Sequence, residues 1–233
     1  MPEPLMPEQT PYRDTFARDN LPPRELWPEM DYSVLSELDY PESLNCAAEL
    51  LDRFVEAGGG ERIVFRGPGG VWRYGELLEK ANRIANVLTG ELGLRPGNRV
   101  LLRGPNHPML AACWFAVVKA GGICVATMPL LRARELSYVV EKAEIRLAVC
   151  DRRWAEELET ARVRTPQLEQ VVYFNCEEEP KGRPSLETMA SKMPDTFANA
   201  PTRADDVAMI AFTSGTTGQP KSTMHFHRDV MAV

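Results

Sequence analysis

The sequence predicts an α/β fold, a mostly parallel sheet flanked by helices, and three observations carry that expectation. Between Arg99 and Phe174 short apolar runs alternate with helix-length amphipathic segments, the pattern of strands covered on both faces by crossover helices. Farther on, Val207-Ala208-Met209-Ile210-Ala211-Phe212 is a continuous apolar run suited to a buried strand. The bulk composition is globular, with 44% hydrophobic and 26% charged residues in a 233-residue chain, which sets aside disorder and fibrous repeats.

Taken in order, residues 1–41 hold eight prolines, among them Pro22, Pro23, Pro28 and Pro41, a density that breaks regular structure and predicts an arm lying over the body. Leu44, Ala47, Ala48, Leu51, Phe54 and Val55 recur at helical spacing until Gly58-Gly59-Gly60. Ile63–Arg66 and Val71–Tyr74 flank Gly67-Pro68-Gly69-Gly70 and read as a short hairpin. Leu77, Leu78, Ala81, Ile84, Ala85 and Leu88 mark one face of a long helix. The alternation then predicts strands at Arg99–Arg103, Ile123–Ala126, Leu147–Cys150 and Gln170–Phe174, with helices at Met109–Ala120, Ala133–Lys142 and Trp154–Arg162 between them. The segment 175–204, with Glu177-Glu178-Glu179 and four prolines, reads as a solvated connector carrying one short helix near Leu186–Ser191. The expected organisation is an arm (1–41), an α/β subdomain (42–174), the connector (175–204) and the start of a second α/β subdomain (205–233).

Charge and cysteines narrow the function classes. A net charge of −6 with no stripe of Lys and Arg argues against nucleic acid and points to small-molecule partners. Cys46, Cys113, Cys124, Cys150 and Cys176 are scattered, odd in number and form no C-x-x-C pair, as expected of buried thiols in a reducing cytoplasm. The Pro-rich, acidic N-terminus has no apolar centre, so no signal peptide is expected. The apolar run Met109–Val118 is too short to span a bilayer, so no membrane partner is expected.

Directly after the apolar strand stands Thr213-Ser214-Gly215-Thr216-Thr217-Gly218-Gln219-Pro220-Lys221. Two glycines let the backbone turn so that successive N–H groups converge, the Thr and Ser residues add hydroxyl donors, and Lys221 adds one cation. At the carboxyl end of a sheet strand such a loop suits a polyphosphate. A flexible linker of the same composition is the plain alternative, but a linker has no reason to abut a wholly apolar strand. A P-loop is the second alternative, since Gly215 and Lys221-Ser222 have its spacing. Pro220 replaces the required glycine, and Ser222–Phe226 looks extended where a P-loop opens into a helix, which here is expected only near His227.

The run Phe212–Lys221 resembles the signature phosphate loop of the adenylate-forming superfamily, which includes acyl-CoA synthetases, peptide-synthetase adenylation domains and luciferases. Tyr74-Gly75-Glu76-Leu77, Lys119-Ala120-Gly121-Gly122 with Pro129, and His227-Arg228-Asp229 resemble further segments of that family, so the likeness spans nearly the whole chain. The arm at Asp14–Pro23 and the stretch Met128–Leu136 look most like aryl-CoA ligases of the 2-aminobenzoate type. The resemblance implies a partial large N-terminal domain of the adenylate-forming fold. It also implies ATP, Mg2+ and coenzyme A as co-substrates, a small carboxylic acid as the partner, and a two-step reaction through an acyl adenylate. Thr213, Ser214, Gly215, Thr216, Thr217, Gly218 and Lys221 match the phosphate-binding positions, with Thr216 and Thr217 foremost. No catalytic residue and no metal ligand is assigned, because the family's adenine, carboxylate and catalytic-lysine segments fall beyond Val233. The 233 residues alone are therefore expected to be inactive, and surface meant for the absent part is expected to favour self-association. An adenylation-domain fragment and a non-catalytic nucleotide-binding module are the alternatives. Arg73 and Ser222 depart from the family's usual Thr/Ser and Gly.

Five other residues are read against plainer roles. His225 and His227 would share a face of a strand like a metal pair, but zinc wants more ligands than the neighbourhood offers, so packing or capping is expected. His107, between Asn106 and Pro108, reads as a turn residue before a helix; a ligand-binding position at the sheet edge is the alternative. Trp114 and Phe115 are expected to pack in the core; an aromatic substrate wall is the alternative.

Overall fold

The computed structural model describes residues 10–27, 40–67, 70–213 and 220–232. Within them a short helix α1 (Phe16–Asp19) belongs to the arm. A helical segment follows whose first part, Ala48–Asp52, is wound as a π-helix before it tightens into α2 (Arg53–Glu56). Strands β1 (Ile63–Gly67) and β2 (Gly70–Arg73) form the antiparallel hairpin read from the sequence; Pro68 and Gly69 of its turn lie outside the described residues. Helix α3 (Tyr74–Asn86) comes next. Arg73 cannot accept a bond at its start, and the cap is supplied from the other side, with Glu76 accepting from the Arg73 N–H at 2.7 Å.

The alternation holds from there: β3 (Arg99–Arg103), α4 (Pro108–Lys119), β4 (Ile123–Thr127), α5 (Ala133–Lys142), β5 (Leu147–Asp151), α6 (Ala155–Arg164) and β6 (Gln170–Phe174). After α7 (Leu186–Ala190) come β7 (Val207–Thr213), β8 (Lys221–Phe226) and α8 (His227–Met231). The larger sheet runs β6-β5-β3-β4-β7-β8, parallel throughout except for the antiparallel β7–β8 hairpin. Strands β7 and β8, in the stretch read as the start of a second subdomain, lie in the same sheet.

Strand residues alternate between two cores. Val100, Leu102, Cys124, Val149 and Phe174 face α3, α4 and α7; Leu101, Ile123, Val125, Ala148 and Cys150 face α5 and α6. In β7 the alternation slips, since Ala208 and Met209 both pack on the first core, and the β7–β8 register shifts between Val207 and Met209.

Two expectations are corrected. The connector is not simply solvated: Leu186 and Thr202 are fully buried, and α3 holds the segment through its carbonyls. Asn82 donates to Asp195 O at 2.7 Å, and Asn86 to Pro194 O and Thr196 O at 3.1 and 2.9 Å. His225 and His227 do not share a face, because the strand ends between them. All five cysteines are free and four are buried. Among the described residues no helix is long and apolar enough to cross a membrane.

Candidate functional site

Strands β3, β4 and β7 bring their carboxyl ends to one edge of the sheet. The chain leaves β3 toward α4 on one face and leaves β4 toward α5 on the other, so a crevice opens between the two strand ends, the usual ligand position in open α/β sheets. That crevice has a volume of about 910 Å3 and is lined by Leu102, Ala126, Phe65, Trp114, His107 and Arg153.

Beside β4 stands the β7–β8 hairpin. Its last register pair is Thr213↔Lys221, and the Thr213 hydroxyl donates to Lys221 O at 3.4 Å, with both residues exposed. The two ends of the polar loop are therefore fixed at the carboxyl edge. Ser214, Gly215, Thr216, Thr217 and Gly218 lie outside the described residues. Past the lysine the chain is a strand, and a helix begins only at His227, so the P-loop alternative, which needs a helix opening at the lysine, is set aside.

Tyr138 on α5 secures the neck of this hairpin, a role that sequence reading missed. Its hydroxyl donates to Pro220 O at 3.1 Å, and its ring meets Phe212 edge-on at 6.3 Å and 82°. The signal available was an aromatic hydroxyl beside the apolar stripe of α5. Arg103 was also missed. It ends β3 almost wholly buried and donates to Pro129 O at 2.9 Å and to Leu131 O and Trp154 O at 3.0 Å. Burial pulls its pKa down, while Cys150 and Glu157 act in the opposite sense. Its bonds are spent on scaffold carbonyls, so it shapes the exit of β4.

The histidines take structural places. His107 caps α4, accepting from the Met109 N–H at 3.1 Å, and also borders the crevice. His227 is fully buried and accepts from the Cys46 N–H at 3.2 Å; burial lowers its pKa to about 3, which keeps it neutral. His225 lies 3.2 Å from the Thr223 hydroxyl. No group of three or more His, Cys, Asp or Glu is placed to hold a metal ion among the described residues. Trp114 and Phe115 meet edge-on at 5.1 Å, half-buried against the core, and Trp114 also walls the crevice.

Lys119-Ala120-Gly121-Gly122 is likewise a scaffold element. The Lys119 ammonium is fully buried and paired with Asp52, which also accepts from Asn199 at 2.9 Å. Gly121 has φ +74°, and a Cβ there would stand 2.9 Å from that of Ala200. The motif thus ties the helical segment ending in α2, α4 and the connector together at a point where no side chain fits.

Comparison with known proteins extends this geometry. Residues 51–233 match the family described as AMP-binding enzyme. The benzoate–CoA ligase of Thauera aromatica is 31% identical over 194 residues, covering 82% of this chain and 36% of that protein. Among solved structures, the anthranilate CoA ligase AuaEII in complex with anthranoyl-AMP superposes with a TM-score of 0.78 at 26% identity, over 84% of this chain and 37% of that one. ATP-bound MatB from Rhodopseudomonas palustris superposes with a TM-score of 0.67 at 30% identity, over 79% and 35%. The chain spans about a third of the length of the curated relatives it matches.

Proposed function

The chain belongs to the AMP-binding enzyme family, and from that premise we propose that it is the amino-terminal part of an ATP-dependent acid–CoA ligase acting on a benzoate-like acid such as 2-aminobenzoate. The observation that carries the reading is the hairpin whose paired ends, Thr213 and Lys221, hold a hydroxyl-rich, glycine-containing loop at the carboxyl edge of the sheet. The choice of acid is supported by the likeness to a benzoate–CoA ligase and to an anthranilate CoA ligase.

In the first step a carboxylate oxygen attacks the α-phosphorus of ATP. The bond from that phosphorus to the bridging oxygen breaks, and pyrophosphate leaves with the electron pair. In the second, the coenzyme A thiol loses its proton to water, sulfur bonds to the acyl carbon, the bond from that carbon to the phosphate oxygen breaks, and AMP leaves with the electron pair. The residues of this chain serve the first step. Thr213 and Lys221, with Ser214, Gly215, Thr216, Thr217 and Gly218 between them, bind the β and γ phosphates; Lys221 and the hydroxyl donors offset the charge that grows on pyrophosphate. Mg2+ bound to the triphosphate would supply further charge neutralisation. The described residues offer no carboxylate cluster to keep such an ion without the nucleotide. The free cysteines support a reducing, cytoplasmic setting.

Residues 1–233 by themselves are proposed to form no acyl adenylate, because a phosphate cradle does not align the attacking carboxylate with the α-phosphorus. The test is acid-dependent exchange of labelled pyrophosphate into ATP by the complete protein. 2-Aminobenzoate or benzoate is expected to support exchange, with malonate and amino acids inert. Exchange driven by amino acids would move the assignment to a peptide-synthetase adenylation domain, and ATP binding without exchange under any acid would leave a nucleotide-binding module.

A further inference from the structure

The arm is fastened at the edge of the sheet opposite the candidate site, and it is fastened to both sides of β4. On one side, the Arg13 N–H donates to Pro96 O at 2.9 Å, and Asp14 pairs with the buried Arg99 of β3 at 2.5 Å. Phe16 lies under the same guanidinium, 4.3 Å from ring to carbon. Gly97, with φ +90°, leaves room for this passage, since a Cβ there would sit 2.3 Å from Asp14 O. On the other side, the Thr10 hydroxyl lies 2.8 Å from both carboxylate oxygens of Asp206 and donates its one proton to that carboxylate, and the Tyr12 hydroxyl donates to Val207 O at 2.7 Å, at the first residue of β7. Trp27 meets Phe226, the last residue of β8, at 5.4 Å.

The arm is not the only tie at this end of β7, since the Ala204 N–H donates to Glu42 O at 2.8 Å and the His227 N–H to Asp206 O at 3.1 Å, but it is the tie that reaches across to β3. β3 and β4 align residue for residue from Arg99↔Ile123 to Arg103↔Thr127, whereas β4 and β7 share the register pair Cys124↔Met209. Where the ladder to a neighbour is short, the contacts at the strand's ends help to set its register. We propose that Thr10–Trp27 is a positioning clasp that fixes the amino end of β7 and the far end of β8 relative to β3, and so sets where Thr213 and Lys221 stand at the carboxyl edge. The consequence for nucleotide rests on the phosphate-loop reading above; the clasp itself does not. Val207 and Thr213 are the two ends of β7, roughly 20 Å apart at the rise of an extended strand, so the arm acts on the loop only through the strand.

The test uses the complete protein with Thr10→Val, Tyr12→Phe and the conservative Thr10→Ser. Hydrogen exchange is followed at amides of β7–β8 and of β5–β6, and KM is measured for ATP and for the acid. With Thr10→Val or Tyr12→Phe, exchange in β7–β8 is expected to quicken about threefold to tenfold, the worth of one hydrogen bond, while β5–β6 stays protected. KM for ATP is expected to rise with KM for the acid unchanged, and Thr10→Ser is expected to restore both readouts. Exchange that rises equally in both regions, or in neither, overturns the clasp. Faster exchange with an unchanged KM for ATP overturns the positioning role if Lys221→Ala does raise that KM. If Lys221→Ala leaves it unchanged as well, the phosphate-loop reading falls and the exchange result alone decides the clasp.

Discussion

The four strands β6-β5-β3-β4 and the β7–β8 hairpin occupy one sheet but are held by different means. The first group is made by successive strand–helix–strand units, so each strand pairs along its length with a neighbour close in sequence and is buried on both faces. The hairpin pairs well within itself, lies beside β4 through Cys124↔Met209, and takes further support from far away: the arm at Asp206 and Val207, Tyr138 at Pro220, and Cys46 at His227. A scaffold of the first kind resists change as a whole. A hairpin of the second kind can be adjusted, or loosened, by single distant side chains.

Four substitutions probe that contrast. Asp52→Ala strikes the helices packed behind β3 and β4 and is expected to cost about 3–5 kcal/mol in urea unfolding, because it leaves the fully buried Lys119 ammonium without its carboxylate. A loss below about 1 kcal/mol would mean that the cation finds water or another partner.

His227 gives the hairpin side a pH dependence. Its folded pKa is about 3 against an ordinary 6.5, so between those values the unfolded chain binds a proton that the folded chain refuses. Stability is therefore complete above 6.5 and falls as the pH drops through that window. The slope is about 1.4 kcal/mol per pH unit, or about 3 kcal/mol lost by pH 4. His227→Gln can still accept from the Cys46 N–H and is expected to flatten this acid limb relative to the parent. Parallel limbs in the two proteins would show that His227 is not the group responsible.

Gly97→Ala places a methyl against Asp14 O and a side chain at positive φ, and is expected to cost about 1–3 kcal/mol. The loss should appear as early exchange of the arm and β7 amides. Uniform loss of protection across all strands would mean that Gly97 serves the sheet and not the arm. Tyr138→Phe removes the hydroxyl that holds Pro220 O and is expected to cost about 1 kcal/mol. Its signature is faster exchange at Lys221 and Ser222, and exchange unchanged there would remove α5 from the account of the loop.

Legibility in the sequence follows the same division. The strands from Arg99 to Phe174 match their sequence limits to within a residue, because apolar runs flanked by helical periodicity report burial that is local in the chain. The strand after Lys221 was also legible, since Ser222–Phe226 lacks helical periodicity. The fastening of the hairpin was not: Thr10 and Asp206 are 196 residues apart, and nothing in a Pro-rich stretch names the carbonyl or carboxylate it will meet. The connector misled for a related reason. Its composition is that of a solvated loop, but the decisive groups are its backbone carbonyls, which are invisible in composition and are taken up by Asn82 and Asn86 one turn apart on α3. The motif Lys119-Ala120-Gly121-Gly122 was legible as a family resemblance, while its cause, a buried ion pair and a glycine too crowded for a Cβ, needed the fold.

The account turns on whether the loop between Thr213 and Lys221 holds the phosphates of ATP, and titration of the complete protein with MgATP tests this most directly. Lys221→Ala is expected to weaken binding about tenfold or more, as loss of a charge-assisted phosphate contact should. An unchanged Kd in a variant that remains folded would contradict it.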